Sequence, residues 1–213
     1  MVKIDDYFEY IGIALILINA CLYLWSYINS KNVALFFLAL YLVTSAFVVV
    51  ISSYLGNKGE ANLHYSHIYF ITQFIFLSLF YRTLLNQNQK KGIDIIILLV
   101  LLTLAIQYFN KPYLTTQFNL LEIFITSVPL IIYSIMHLYN SLSKKGEFML
   151  INAGVLIYLT TSTLIFILGD YLSEFKNNTI TKIWMINKIL YVIYLVLILV
   201  EWKKLNLPRK SKS

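Results

Sequence analysis

Seven apolar runs, separated by short polar breaks, are the feature that most limits what this 213-residue chain can become. A helix rises about 1.5 Å per residue and the hydrocarbon layer is ~30 Å thick, so roughly 20 mostly apolar residues make one crossing. Runs of that order cover residues 8–28, 33–55, 63–85, 93–109, 118–139, 148–172 and 180–202. The breaks between them hold turn formers, such as Asn29-Ser30-Lys31-Asn32, Gly56-Asn57-Lys58-Gly59 and Asn110-Lys111-Pro112. With 59% apolar residues, 13% charged residues and a mean hydropathy of +0.73, the chain falls far from a soluble domain, where about a quarter of residues are charged. The expected fold is all-α, a polytopic bundle of seven transmembrane helices at residues 1–202, followed by a basic tail at 203–213.

The fourth run is the shortest, which leaves a six-helix bundle without it as the alternative. A membrane barrel is excluded by period. Barrel strands alternate apolar and polar residues over about ten positions, whereas Leu98–Leu102 and Val192–Val200 are continuously apolar. Asp5, Asp6 and Glu9 stand where a signal peptide carries positive charge, so the first run is expected to stay in the mature protein. Trp184 and Trp202 suit aromatic anchors at the two interfaces of the last span.

Basic residues collect at the cytoplasmic ends of spans. One set of ends carries Lys31, Arg82, Lys90, Lys91, Lys144, Lys145, Lys203, Lys204, Arg209, Lys210 and Lys212; the other carries Lys3, Lys58, Lys111, Lys176 and Lys182. That asymmetry orients the N-terminus outside and the C-terminus in the cytoplasm. The net charge of +7 therefore reads as topology and contact with anionic lipid, not nucleic-acid binding. The expected location is the cell membrane, multi-pass, as in a bacterial inner membrane. Cys21 is the single cysteine, so no disulfide forms within the chain.

Polar groups inside spans are costly and are the first functional candidates. Trp184, Asn187, Lys188 and Tyr191 repeat at helical spacing on one face of the seventh span; Glu122, Thr126, Pro129 and Tyr133 do so in the fifth, with His137 beyond. The third offers Ser66, Tyr69 and Gln73 on one face and His67 on another, and the sixth offers Asp170 and the cluster Thr160–Thr163. His67, Gln73, Glu122, Asp170, Asn187 and Lys188 share the outer half of the bundle, which suggests one outward-facing polar pocket. Plain interhelical hydrogen bonds, at roughly 0.6 kcal/mol each, are the competing account, above all for the threonine cluster.

Lys188 invites comparison with a retinal Schiff base, but the third span lacks a carboxylate counterion. Its expected partners are Glu122 or Asp170, the outer surface by snorkelling, or the anionic group of a ligand. His64, His67 and Glu122 would suit zinc by type but not by spacing. Neither retinal nor zinc is expected as a cofactor, and no nucleophile–base set marks an enzyme.

The sequence Ser66-His67-Ile68-Tyr69 with Gln73, Glu122 in the fifth span, Gly154–Tyr158 in the sixth, and Trp184 with Asn187 in the seventh resembles an uncharacterised family of small bacterial seven-helix membrane proteins over nearly the whole chain. In that family's pattern Gln73 stands where glutamate is usual and Asn187 where histidine is usual, while His67 and Glu122 match. Both departures keep hydrogen-bonding capacity and remove titratable groups, which weakens a metal or acid–base role. The resemblance implies the fold and no activity.

No loop exceeds about ten residues, so function must reside in the bundle. The expected function is a membrane sensor or receptor-like protein, with an outward pocket for a small or amphiphilic ligand and a cytoplasmic or membrane protein partner. The alternatives are a transporter, an intramembrane lipid-modifying enzyme and a structural subunit of a membrane complex. The ligand-binding candidates are His67, Tyr69, Gln73, Glu122, Thr126, Asp170, Trp184, Asn187, Lys188 and Tyr191.

Overall fold

A computed structural model describes the backbone of residues 4–143, 146–172 and 178–206, and their side chains except those of 4–6, 169–172 and 178–182. Seven α-helices account for nearly all of it: α1 Ile4–Ser30, α2 Val33–Asn57, α3 Leu63–Leu84, α4 Gln87–Asn110, α5 Leu120–Ser143, α6 Met149–Leu172 and α7 Asn178–Asn206. A short 3-10 turn, Pro112–Thr116, joins α4 to α5.

Helix ends follow local chemistry. Asn32 accepts hydrogen bonds from the Ala34 and Leu35 N–H groups and starts α2. Asn86 and Gln89 form a capping box that starts α4 six residues before the apolar run, ahead of Lys90 and Lys91. The fourth helix is therefore 24 residues long and not the weakest of the set. The backbone N–H of Leu150 in the first turn of α6 donates 2.7 Å to the Glu201 carboxylate of α7, a negative charge at a helix N-terminus.

Among the described residues six helices are long and apolar enough to cross a membrane: α1 from Tyr7, α2, α4, α5, α6 to Leu168 and α7 from Ile183. They fit a multi-pass membrane protein. The helix outside that set is α3, not the α4 that its short apolar run had made suspect. Its polarity has a place: His67, Gln73 and Ser78 are all buried in the bundle.

The helices α1, α2, α3, α5, α6 and α7 form a closed ring in that order, and α4 lies outside it against α3 and α5. Only Ile93, Val100 and Leu104 of α4 are buried. Leu38, Leu42, Phe74, Leu77, Leu130, Ile151 and Leu195 fill the ring and are fully excluded from solvent. Polar side chains pin neighbouring helices in register, since each buried donor must find an acceptor. Between α1 and α7, Asn19 donates to the Leu195 carbonyl and Tyr23 to that of Ile198, each at 2.9 Å, while the Trp202 indole N–H donates to Ser26 at 2.8 Å. Among α3, α5 and α6, Tyr81 donates to the Asn152 side chain at 2.9 Å and Asn152 exchanges bonds with Ser134. Cys21 is exposed. Pro129 lies inside an unbroken α5. Ser162 and Thr163 of the threonine cluster are buried, and Thr160 is not.

Candidate functional site

A cavity of about 520 Å³ occupies the end of the ring where α1, α3 and α7 begin and α2 and α6 finish. Its size falls within the range of small-molecule sites. At the mouth, Lys188 donates 3.0 Å to Glu9 of α1, and the second oxygen of Glu9 accepts from Ser53 of α2 at 2.6 Å. Each charged side chain of the pair is about a third exposed (36% and 35%), as a solvated rim requires. Below them, Tyr69, Tyr158 and Tyr191 line the wall beside Phe70, Phe118 and Phe166. The rings are packed closely: Tyr158 sits 5.5 Å from Tyr191 and stacks on Tyr194 at 5.2 Å. Deeper still, Gln73 donates to the hydroxyls of Tyr69 at 3.1 Å and Tyr41 at 3.5 Å.

Asn187 and Tyr191 line this cavity, and their Oδ1 and hydroxyl are buried with no hydrogen-bond partner among the described residues. A polar atom left so costs about 1–3 kcal/mol. The cavity therefore joins apolar aromatic walls, unsatisfied polar atoms and a charged rim. That combination suits a molecule with an apolar body and a polar end.

His67 and Glu122 do not line this cavity. They meet at 2.5 Å between α3 and α5, where the Tyr108 hydroxyl from α4 lies 2.9 Å from His67 Nδ1 and donates to Glu122 Oε2 at 2.8 Å. Asn119 supports the cluster by accepting from the Glu122 N–H at 3.3 Å and donating to Tyr108 at 3.3 Å. A second cavity, about 380 Å³ and bounded by His64, His67, Tyr108 and Thr115, lies against it.

The sequence candidates thus divide between two places. Tyr69, Asn187, Lys188 and Tyr191 line the first cavity with Gln73 beneath it; His67 and Glu122 form the second cluster. The expected partnership of Lys188 with Glu122 is replaced by Glu9 for one and His67 for the other, because α1, not α5, is the neighbour of α7 on that side. Thr126 turns its hydroxyl back to the Glu122 carbonyl at 2.7 Å. Trp184 packs edge-on to Phe166 outside the cavity lining. The Asp170 side chain lies outside the described residues. Sequence reasoning overlooked Glu9 and Tyr108. Glu9 was legible as an acidic residue inside an apolar run, whereas nothing separates Tyr108 from the other sixteen tyrosines.

Among the described residues no three His, Cys, Asp or Glu side chains are grouped to hold a metal ion. No family model, no curated protein and no solved structure matches the chain.

Proposed function

We propose that this protein is an integral membrane receptor or sensor that takes a small amphiphilic molecule into the ring cavity from outside the cell. In this reading all seven helices cross the membrane, since α3 is held between α2 and α5 along the ring and its His67, Gln73 and Ser78 are buried. The uneven distribution of lysine and arginine puts the cavity end outside and the Lys203–Lys204 end in the cytoplasm. The observation that carries the reading is the cavity itself: an aromatic interior under the Glu9–Lys188 rim, with Asn187 and Tyr191 offering unsatisfied polar atoms. The apolar body of the ligand lies against Phe70, Phe118 and Phe166, and its polar end meets Asn187, Tyr191 and the ion pair. Ligand entry alters contacts on α1, α2, α3, α6 and α7 together, which gives the cytoplasmic ends of those helices a signal to pass to a partner.

Native mass spectrometry of the full chain in mild detergent tests this. The wild type carries a co-purifying small molecule, and Ser52→Phe, which places a ring in the cavity, loses it while keeping its helical fold. Equal retention by both proteins overturns the reading.

A further inference from the structure

The cluster at α3, α4 and α5 has a chemistry of its own. Three polar atoms from three helices, His67 Nδ1, Glu122 Oε2 and the Tyr108 hydroxyl, lie within 2.9 Å of one another. Glu122 is 1% exposed and His67 8%. A carboxylate and a neutral imidazole in such a place leave one uncompensated negative charge, which low-dielectric surroundings penalise heavily. One additional proton makes the pair electrically neutral, as imidazolium with carboxylate or imidazole with carboxylic acid. Either form satisfies the contact geometry. Tyr108 donates to Oε2 in both, and Asn119 donates to Tyr108.

The second ring nitrogen, His67 Nε2, is buried without a hydrogen-bond partner among the described residues, and His67 forms part of the wall of the 380 Å³ cavity. His64, one turn earlier on α3 and exposed, lines the same cavity. The two histidines thus share one cavity wall. The titratable groups facing the site are His64 and His67 from α3, Tyr108 from α4 and Glu122 from α5; no lysine, arginine or further carboxylate among the described residues lines the cavity or bonds the cluster.

The outer end of α4 meets the ring at this cluster. Few of its side chains are buried, and its polar ties there are Tyr108 and the reciprocal amide bonds between Gln107 and Asn119, at 3.2 and 3.0 Å. We propose that His67, Glu122 and Tyr108 form a proton-binding site where α3, α4 and α5 meet.

The test uses the full chain in nanodiscs with the proton as the only ligand. It has three histidines, His64, His67 and His137, so selective ¹⁵N labelling gives assignable imidazole signals. His67 and the Glu122 carboxyl, followed by ¹³C, change together in one pH step. Glu122→Gln moves the His67 step by about one pH unit or more, a tenfold change in proton affinity, and leaves His64 in place. Independent titration of His67 and Glu122 in the wild type overturns the proposal without recourse to any variant.

Discussion

Gly154 on α6 gives a quantitative test of how closely α6 and α7 approach. A Cβ there would lie 2.8 Å from Cδ2 of Tyr194 and 3.4 Å from Leu197 Cδ1. Non-bonded carbons prefer about 3.5–4.0 Å, so the first contact overlaps by roughly 0.7 Å or more. Tyr194 cannot withdraw easily, being 2% exposed and stacked flat on Tyr158 with 4° between the rings. Overpacking of this kind costs about 1–3 kcal/mol. Gly12 on α1 is the matched control, since a Cβ there meets the Tyr191 ring at 3.4 Å, an ordinary contact. Both Gly→Ala changes gain about 1 kcal/mol of helix propensity, so the difference between them isolates the clash. At about 2–4 °C per kcal/mol for a chain of this length, Gly154→Ala should melt roughly 2–12 °C below Gly12→Ala in detergent. If the two variants melt together, or if Gly154→Ala is the more stable, the α6–α7 packing described above is wrong.

Other perturbations follow from single contacts. Glu201→Ala removes the charged acceptor of the Leu150 N–H and should cost about 1.5–3 kcal/mol; hydrogen exchange should rise in the first turn of α6 and not at its far end. Glu9→Gln and Lys188→Met should show a coupling of about 0.2–1 kcal/mol in a double-mutant cycle of melting temperatures, as suits a pair one third exposed. Strictly additive melting shifts would deny the pair. Tyr81→Phe strands the Asn152 side-chain oxygen inside the bundle and should cost about 1–3 kcal/mol, while Tyr139→Phe, at a 73% exposed position, should cost little.

Which face of α5 turns inward was legible in the sequence; which helix that face meets was not. The polar stripes of the fifth and seventh spans follow from a period of 3.6 residues, and Glu122, Thr126, Tyr133 and His137 are indeed all buried. Equal depth suggested one pocket for His67, Glu122, Asn187 and Lys188. The ring order separates them, because α7 closes onto α1 and α5 lies on the far side of α6. Helix order in a bundle is set by side-chain contacts between segments more than 170 residues apart, such as Asn19 with Leu195, and no local pattern encodes it. The capping box at Asn86 and Gln89 was readable, and would have lengthened the fourth helix past its apolar run. The low hydropathy of α3 was equally visible, but its meaning depends on three neighbouring helices that cover its polar side chains.

The claim that the ring cavity opens to the outside is tested most directly by thiol labelling of intact cells with a membrane-impermeant reagent, in a Cys21→Ser background. Ser52→Cys lines the cavity, and Tyr139→Cys lies exposed near the opposite end of the bundle. The account predicts that Ser52→Cys reacts in intact cells, whereas Tyr139→Cys reacts only after the membrane is permeabilised. The reverse pattern, or a Ser52→Cys that stays unreactive under both conditions, would contradict it.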